Sequence, residues 1–117
     1  MNTYYQKAGQ NKRLWVRQND TRPSAEVQLI KSEDGTYENL VDGAGFIEVL
    51  DSDGEHLHSG NALNMASGAT GKATYNWGQG ELATAGTYKL IFRISPENDG
   101  NYFSIPEEPY EYILRVI

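Results

Sequence analysis

The sequence contains no cysteine. Disulfide staples and thiolate metal centres are thereby excluded, and the fold must rest on its apolar core alone. Histidine is almost absent, with two in 117 residues, His56 and His58. A Ser-His-Asp triad would have to draw on this pair. There is no G-x-S-x-G elbow, no H-E-x-x-H and no phosphate-binding glycine loop. No stretch nears the roughly 20 apolar residues that a membrane helix needs, so no membrane role is expected. Residues 1–10 are polar and carry no apolar h-region, so synthesis and folding in the cytoplasm are expected. Positive charge is also scarce, with 10 basic against 16 acidic side chains and a formal charge of −6. Binding to a phosphate backbone needs a basic patch. The densest basic stretch, Lys12-Arg13 with Arg17 and Arg22, is short and interrupted and reads as a solvated strand face. Nucleic acid is therefore not an expected partner.

What the chain does contain is alternation. Hydrophobic residues are 38% of the total and aromatic residues 11%, enough for one core in a domain of this size if Tyr, Trp and Phe fill much of it. Apolar residues recur at period two, the signature of half-buried strands. Leu14 and Val16 alternate with Trp15 and Arg17, and Val27 and Leu29 with Glu26 and Gln28. Phe46–Leu50 is a nearly continuous apolar run around Glu48. Ala73, Tyr75 and Trp77 share one face, as do Tyr88, Leu90, Phe92 and Ile94, and then Tyr112, Leu114 and Val116. Asp34-Gly35, Asp42-Gly43, Asp53-Gly54 and Asp99-Gly100 separate the runs, Asp-Gly being favoured in tight turns because Gly tolerates positive φ. Pro23, Pro96, Pro106 and Pro109 fall between runs, where a missing N–H costs no ladder bond. No amphipathic helix of useful length is visible; Asn61–Ser67 reads as a short helical turn or another strand. The pattern predicts an all-β, immunoglobulin-like antiparallel β-sandwich of about seven to eight strands. Residues 12–117 form the domain and residues 1–11 a polar N-terminal arm outside the strand pattern.

Candidate sites are sparse. Asp51, Asp53 and Glu55 flank a Gly as calcium ligands do, but the remaining ligands of such a loop are missing, and a hairpin turn accounts for the same residues. His56 and His58, two apart, would share one strand face, yet a zinc site needs at least three protein ligands. Glu107-Glu108 are adjacent in a proline-flanked turn and point apart, unlike a glycosidase pair. No metal, cofactor or catalytic residue is expected. Trp77 belongs to a regular apolar face and is expected in the core. Trp15 stands opposite the Leu14/Val16 face and is expected to be exposed or at an interface. Tyr4 and Tyr5 are the only large side chains of the arm. They are expected to dock on a neighbouring subunit, the alternative being that the arm folds back on its own sandwich.

From about residue 14 onward the chain resembles the N-terminal immunoglobulin-like domain of siphophage baseplate upper proteins and related phage structural proteins. The resemblance runs through Asn19-Asp20-Thr21-Arg22-Pro23 and the strand Ala25–Ile30, then Leu40-Val41-Asp42-Gly43-Ala44. It continues through Phe46–Leu50 into Asp51-Ser52-Asp53-Gly54, Gly71 with Tyr75-Asn76-Trp77, and Ala85-Gly86-Thr87-Tyr88 with Phe92. Phe103, Pro106 and the closing strand Tyr110–Ile117 complete it. The resemblance implies a non-enzymatic virion component (capsid decoration, neck, tail or baseplate). Its expected partners are other phage structural proteins and further copies of itself within the particle. Two other classes stand beside it. A carbohydrate-binding module would stack sugars on Trp15, Tyr37 or Tyr102. A cellular adaptor would use a sheet edge for strand addition.

Overall fold

The structure, a computed structural model, describes residues 12–31, 35–65, 70–106 and 110–117, together with the backbone of residues 4–6; of Lys31 too only the backbone is described. Among the described residues there is no helix, and ten strands form two packed sheets. The strands are β1 (Tyr4–Gln6), β2 (Lys12–Val16), β3 (Ala25–Lys31), β4 (Ala44–Leu50), β5 (His56–Ala62), β6 (Asn64–Met65), β7 (Lys72–Tyr75), β8 (Gly86–Ser95), β9 (Phe103–Ile105) and β10 (Tyr112–Val116). One sheet has the order β1-β3-β7-β6, and the other β2-β10-β8-β4-β5 with β9 also on β8. The chain is all-β, as the alternation predicts.

The count exceeds the expected seven to eight because β1, β6 and β9 are two or three residues long, too short to show a period. Two further points depart from the sequence reading. The backbone of Tyr4–Gln6, placed outside the strand pattern, pairs antiparallel with β3, Tyr5 facing Ile30; an open strand edge with free N–H and C=O groups accepts such a segment whatever its side chains. In addition, β2 runs parallel to β10, Trp15 beside Arg115, whereas every other pairing is antiparallel. Alternation reports which face is buried, not strand direction.

The core fills the space between the sheets. Val27, Leu29, Ala73, Tyr75 and Trp77 from one side meet Ile47, Val49, Leu90, Phe92, Leu114 and Val116 from the other, all buried. Aromatic rings carry much of it: Tyr75 meets Trp77 edge-on at 5.0 Å, and Phe92 meets Tyr112 at 5.4 Å. Each buried polar tip finds a partner, as burial demands. Trp77 Nε1 donates to the Pro23 carbonyl at 3.1 Å, Tyr88 donates to the Thr84 carbonyl at 2.8 Å, and the Tyr112 hydroxyl accepts from the Glu26 amide at 3.3 Å. Lys12 Nζ donates to the Glu26 carbonyl at 3.0 Å and lies over the Tyr112 ring. It thereby ties β2 to the opposite sheet at this edge.

Candidate functional site

Two β-bulges decide where the polar side chains of β5 go. The β4–β5 ladder shifts register between Ile47 and Glu48 and again between Val49 and Leu50. Each bulge inserts one residue and reverses the alternation. Leu57 is the extra residue of the second shift, so His56 stands opposite Leu50 and His58 opposite Val49. Leu50 and Val49 belong to opposite faces. The two histidines therefore do not share a face, contrary to the spacing-based expectation. His56 faces outward, 3.8 Å from Glu48, and His58 faces inward, 3.8 Å from Glu81. Among the described residues no group of three His, Asp or Glu is placed to hold a metal ion.

The inward side of β5 contributes to a polar knot at the mouth of the core. The Glu81 carboxylate accepts from the Tyr75 hydroxyl at 2.7 Å on each oxygen, from Asn61 Nδ2 at 3.0 Å and from the Gly78 amide. Asn61 also donates to the Tyr75 oxygen at 3.0 Å. His58 Nε2 lies 3.0 Å from the Glu81 carbonyl; a carbonyl only accepts, so this nitrogen carries the proton. Burial, reinforced by the Glu81 hydrogen bond, pushes the Tyr75 phenol from its usual 10.0 to about 12. The four side chains come from β5, β7 and the turn after Trp77. No local motif announces them, and the sequence reading missed the cluster. Its chemistry is spent internally: every oxygen of the carboxylate is engaged in holding the 78–81 turn against β5 and β7.

Asp51 is similarly committed. One of its carboxylate oxygens accepts from the Asp53 amide at 2.9 Å and the Glu55 amide at 3.0 Å, and its carbonyl accepts from Gly54 at 3.0 Å. Gly54 takes φ +80, the left-handed value the turn requires. The calcium-like spacing of Asp51, Asp53 and Glu55 thus serves the β4–β5 hairpin turn. Glu107-Glu108 lie outside the described residues.

The outward face of the six-stranded sheet is different in kind. Trp15 is 61% exposed there. Register places Arg115 and Thr87 in its row, and Arg13, Ile113, Lys89 and Leu50 in the next. Farther along, Arg93 pairs with Glu48 at 3.2 Å, and Phe46 packs on the exposed Tyr102 at 5.5 Å. Arg13, Lys89 and Arg115 meet no carboxylate among the described residues. Cationic and apolar side chains thus share a solvent-facing sheet on a chain whose net charge is −6. Trp15 stands where the sequence reading puts it and Trp77 is buried; the side chains of Tyr4 and Tyr5 lie outside the described residues. Tyr37 is half-buried and Tyr102, though exposed, packs on Phe46, so of the sugar-stacking candidates Trp15 presents the most open ring. Comparison of the chain with protein-family models, curated proteins and solved structures finds no match in any of the three.

Proposed function

We propose that this chain is a non-enzymatic structural domain that works through protein–protein contacts, as a component of a bacteriophage particle. The observation that carries the contact reading is Trp15, 61% exposed on a regular strand amid cations that meet no carboxylate among the described residues. Tryptophan and arginine are the side chains most enriched at the energetic centres of interfaces. A non-catalytic role is supported by the internal use of the Glu81, Tyr75 and Asp51 groups, which leaves no poised acid–base pair among them. The virion setting is supported by the ordered series of motifs described above. A tyrosine hydroxyl bonded back to the chain near the start of its strand, as Tyr88 is to Thr84, also occurs in immunoglobulin-type sandwiches.

The test is to purify the particles released by the host strain that carries this gene and to locate the chain by mass spectrometry and electron microscopy. It is expected at fixed stoichiometry with Trp15 in a contact. Its absence from intact particles would refute the virion role. Because Trp15 is an open ring, a glycan array provides the second arm. Sugar binding lost in Trp15→Ser would favour a carbohydrate-binding module instead.

A further inference from the structure

The outward face of the six-stranded sheet is polarised from edge to edge. Its β2-β10-β8 side carries Arg13, Arg115 and Lys89, with Trp15 among them. Its β4–β5 side ends in the hairpin turn with Asp51, Asp53 and Glu55, where Asp53 and Glu55 are exposed and pair with no cation among the described residues. The order β2-β10-β8-β4-β5 separates the two edge strands by four inter-strand spacings, about 19 Å. That exceeds the roughly 8–10 Å over which salt lets exposed charges feel each other. Arg13 and Trp15 on β2 are therefore out of reach of the acidic turn within one copy, whereas Lys89 on β8 stands next to the residue that opens it.

We propose that this face is a homodimer interface in which two copies stack sheet on sheet about a two-fold axis running parallel to the strands. The inference rests on the reading of this face as a contact surface and names its occupant, a second copy of the chain. A two-fold interface must be self-complementary. With the axis along the strands, the β2 edge of one copy lies over the β5 edge of the other. The level along the strands also matches. Leu50 is in register with Lys89, and Arg115 with Thr87, so the Asp51–Glu55 turn begins beside the row that holds Thr87, Arg115 and Trp15. The cationic, Trp15-bearing patch of each copy then faces the acidic turn of its partner, twice per dimer. A two-fold perpendicular to the strands in the sheet plane would instead lay each strand over its own copy, so that Arg13 and Trp15 on β2 would not meet the partner's acidic turn. Sheets stacked face to face lie about 10 Å apart, a gap that arginine and tryptophan side chains span.

Sedimentation velocity of the full chain over a wide concentration range tests this. A dimer is expected that weakens tenfold or more between ~0.1 M and ~1 M salt. Trp15→Ser is expected to be monomeric, as are the double variants Arg13→Glu/Arg115→Glu and Asp53→Lys/Glu55→Lys. Mixing the two double variants should restore a heterodimer, since each then supplies the charge the other lacks. All substituted positions are exposed, and circular dichroism of each variant confirms that loss of the dimer is not loss of the fold. A wild-type chain that stays monomeric throughout overturns the proposal, as does a charge-reversed variant that still dimerises alone. If the wild type is monomeric yet Trp15→Ser is excluded from particles, the dimer fails while the contact reading stands.

Discussion

The hydroxyl of Tyr75 lies 2.7 Å from both carboxylate oxygens of Glu81, so a phenol at the end of β7 holds the turn that follows Trp77. Ionising that phenol would set a phenolate against a carboxylate in a site with little solvent. The folded-state value is raised from 10.0 to about 12. The unfolded chain therefore releases this proton first as pH rises, and stability falls between about pH 10 and about pH 12 while being unaffected by this group below that window. Urea midpoints measured across the window should show the decline. In Tyr75→Phe the decline should be shallower but not absent, because burial also raises Tyr112. The substitution itself is expected to cost about 1–2 kcal/mol at neutral pH through the lost hydrogen bonds.

The two tryptophans should report opposite environments. Trp77 is 3% exposed and Trp15 61%. Trp15→Phe should leave a blue-shifted emission protected from acrylamide, and Trp77→Phe a red-shifted, readily quenched one. Trp77→Ala should cost roughly 3–5 kcal/mol as a large core truncation, and Trp15→Ser should stay within about 0.5 kcal/mol of wild type. Equal quenching of both rings would contradict the packing described.

Among the described residues Gly71 is the most constrained glycine. It takes φ +66, and an added Cβ would run into the carbonyl oxygen of Leu29, whose amide donates to the Gly71 carbonyl at 2.8 Å. Backbone strain and steric overlap then act together in Gly71→Ala, with an expected loss of roughly 2–4 kcal/mol by chemical denaturation. At Gly80, also at positive φ but with open space around it, alanine should cost only about 1 kcal/mol.

Zinc should not stabilise the protein through its histidines. The bulge at Leu57 sends His56 and His58 to opposite faces, so they cannot chelate one ion. Thermal melts with and without zinc are expected to coincide, whereas a specific ligand would raise the midpoint by mass action. A Leu57 deletion would leave the two rings opposite Leu50 and Val49, still on opposite faces, so zinc should have no effect on that variant either.

The long strands were legible because burial imposes a period that residue type records. Tyr88, Leu90, Phe92 and Ile94 read as one face and form one. So were Trp77 as core and Trp15 as surface, each from its neighbours in the sequence. The bulges left no such trace. His56-Leu57-His58 has perfect two-residue spacing, and the inserted residue shows only once Leu50 and Val49 are known to stand opposite the two histidines. The Glu81 knot was hidden for a different reason: Asn61, Tyr75 and Glu81 are brought together by sheet packing, and nothing in one segment points to the others. The short strands β1, β6 and β9 are defined by backbone pairing, to which side-chain type is nearly indifferent.

The parallel alignment of β2 with β10 bears on how the domain carries load. Five consecutive residue pairs, from Lys12 with Tyr112 to Val16 with Val116, join the two strands. Tension applied between residue 12 and residue 117 pulls the strands past each other along their length. The bridging hydrogen bonds then bear the force together in shear, where an antiparallel hairpin under the same pull would open one bond at a time. Any assembly that held this domain by those two points would extend elastically and give way abruptly, and single-molecule pulling from them should record one high rupture force, with no gradual unzipping before it.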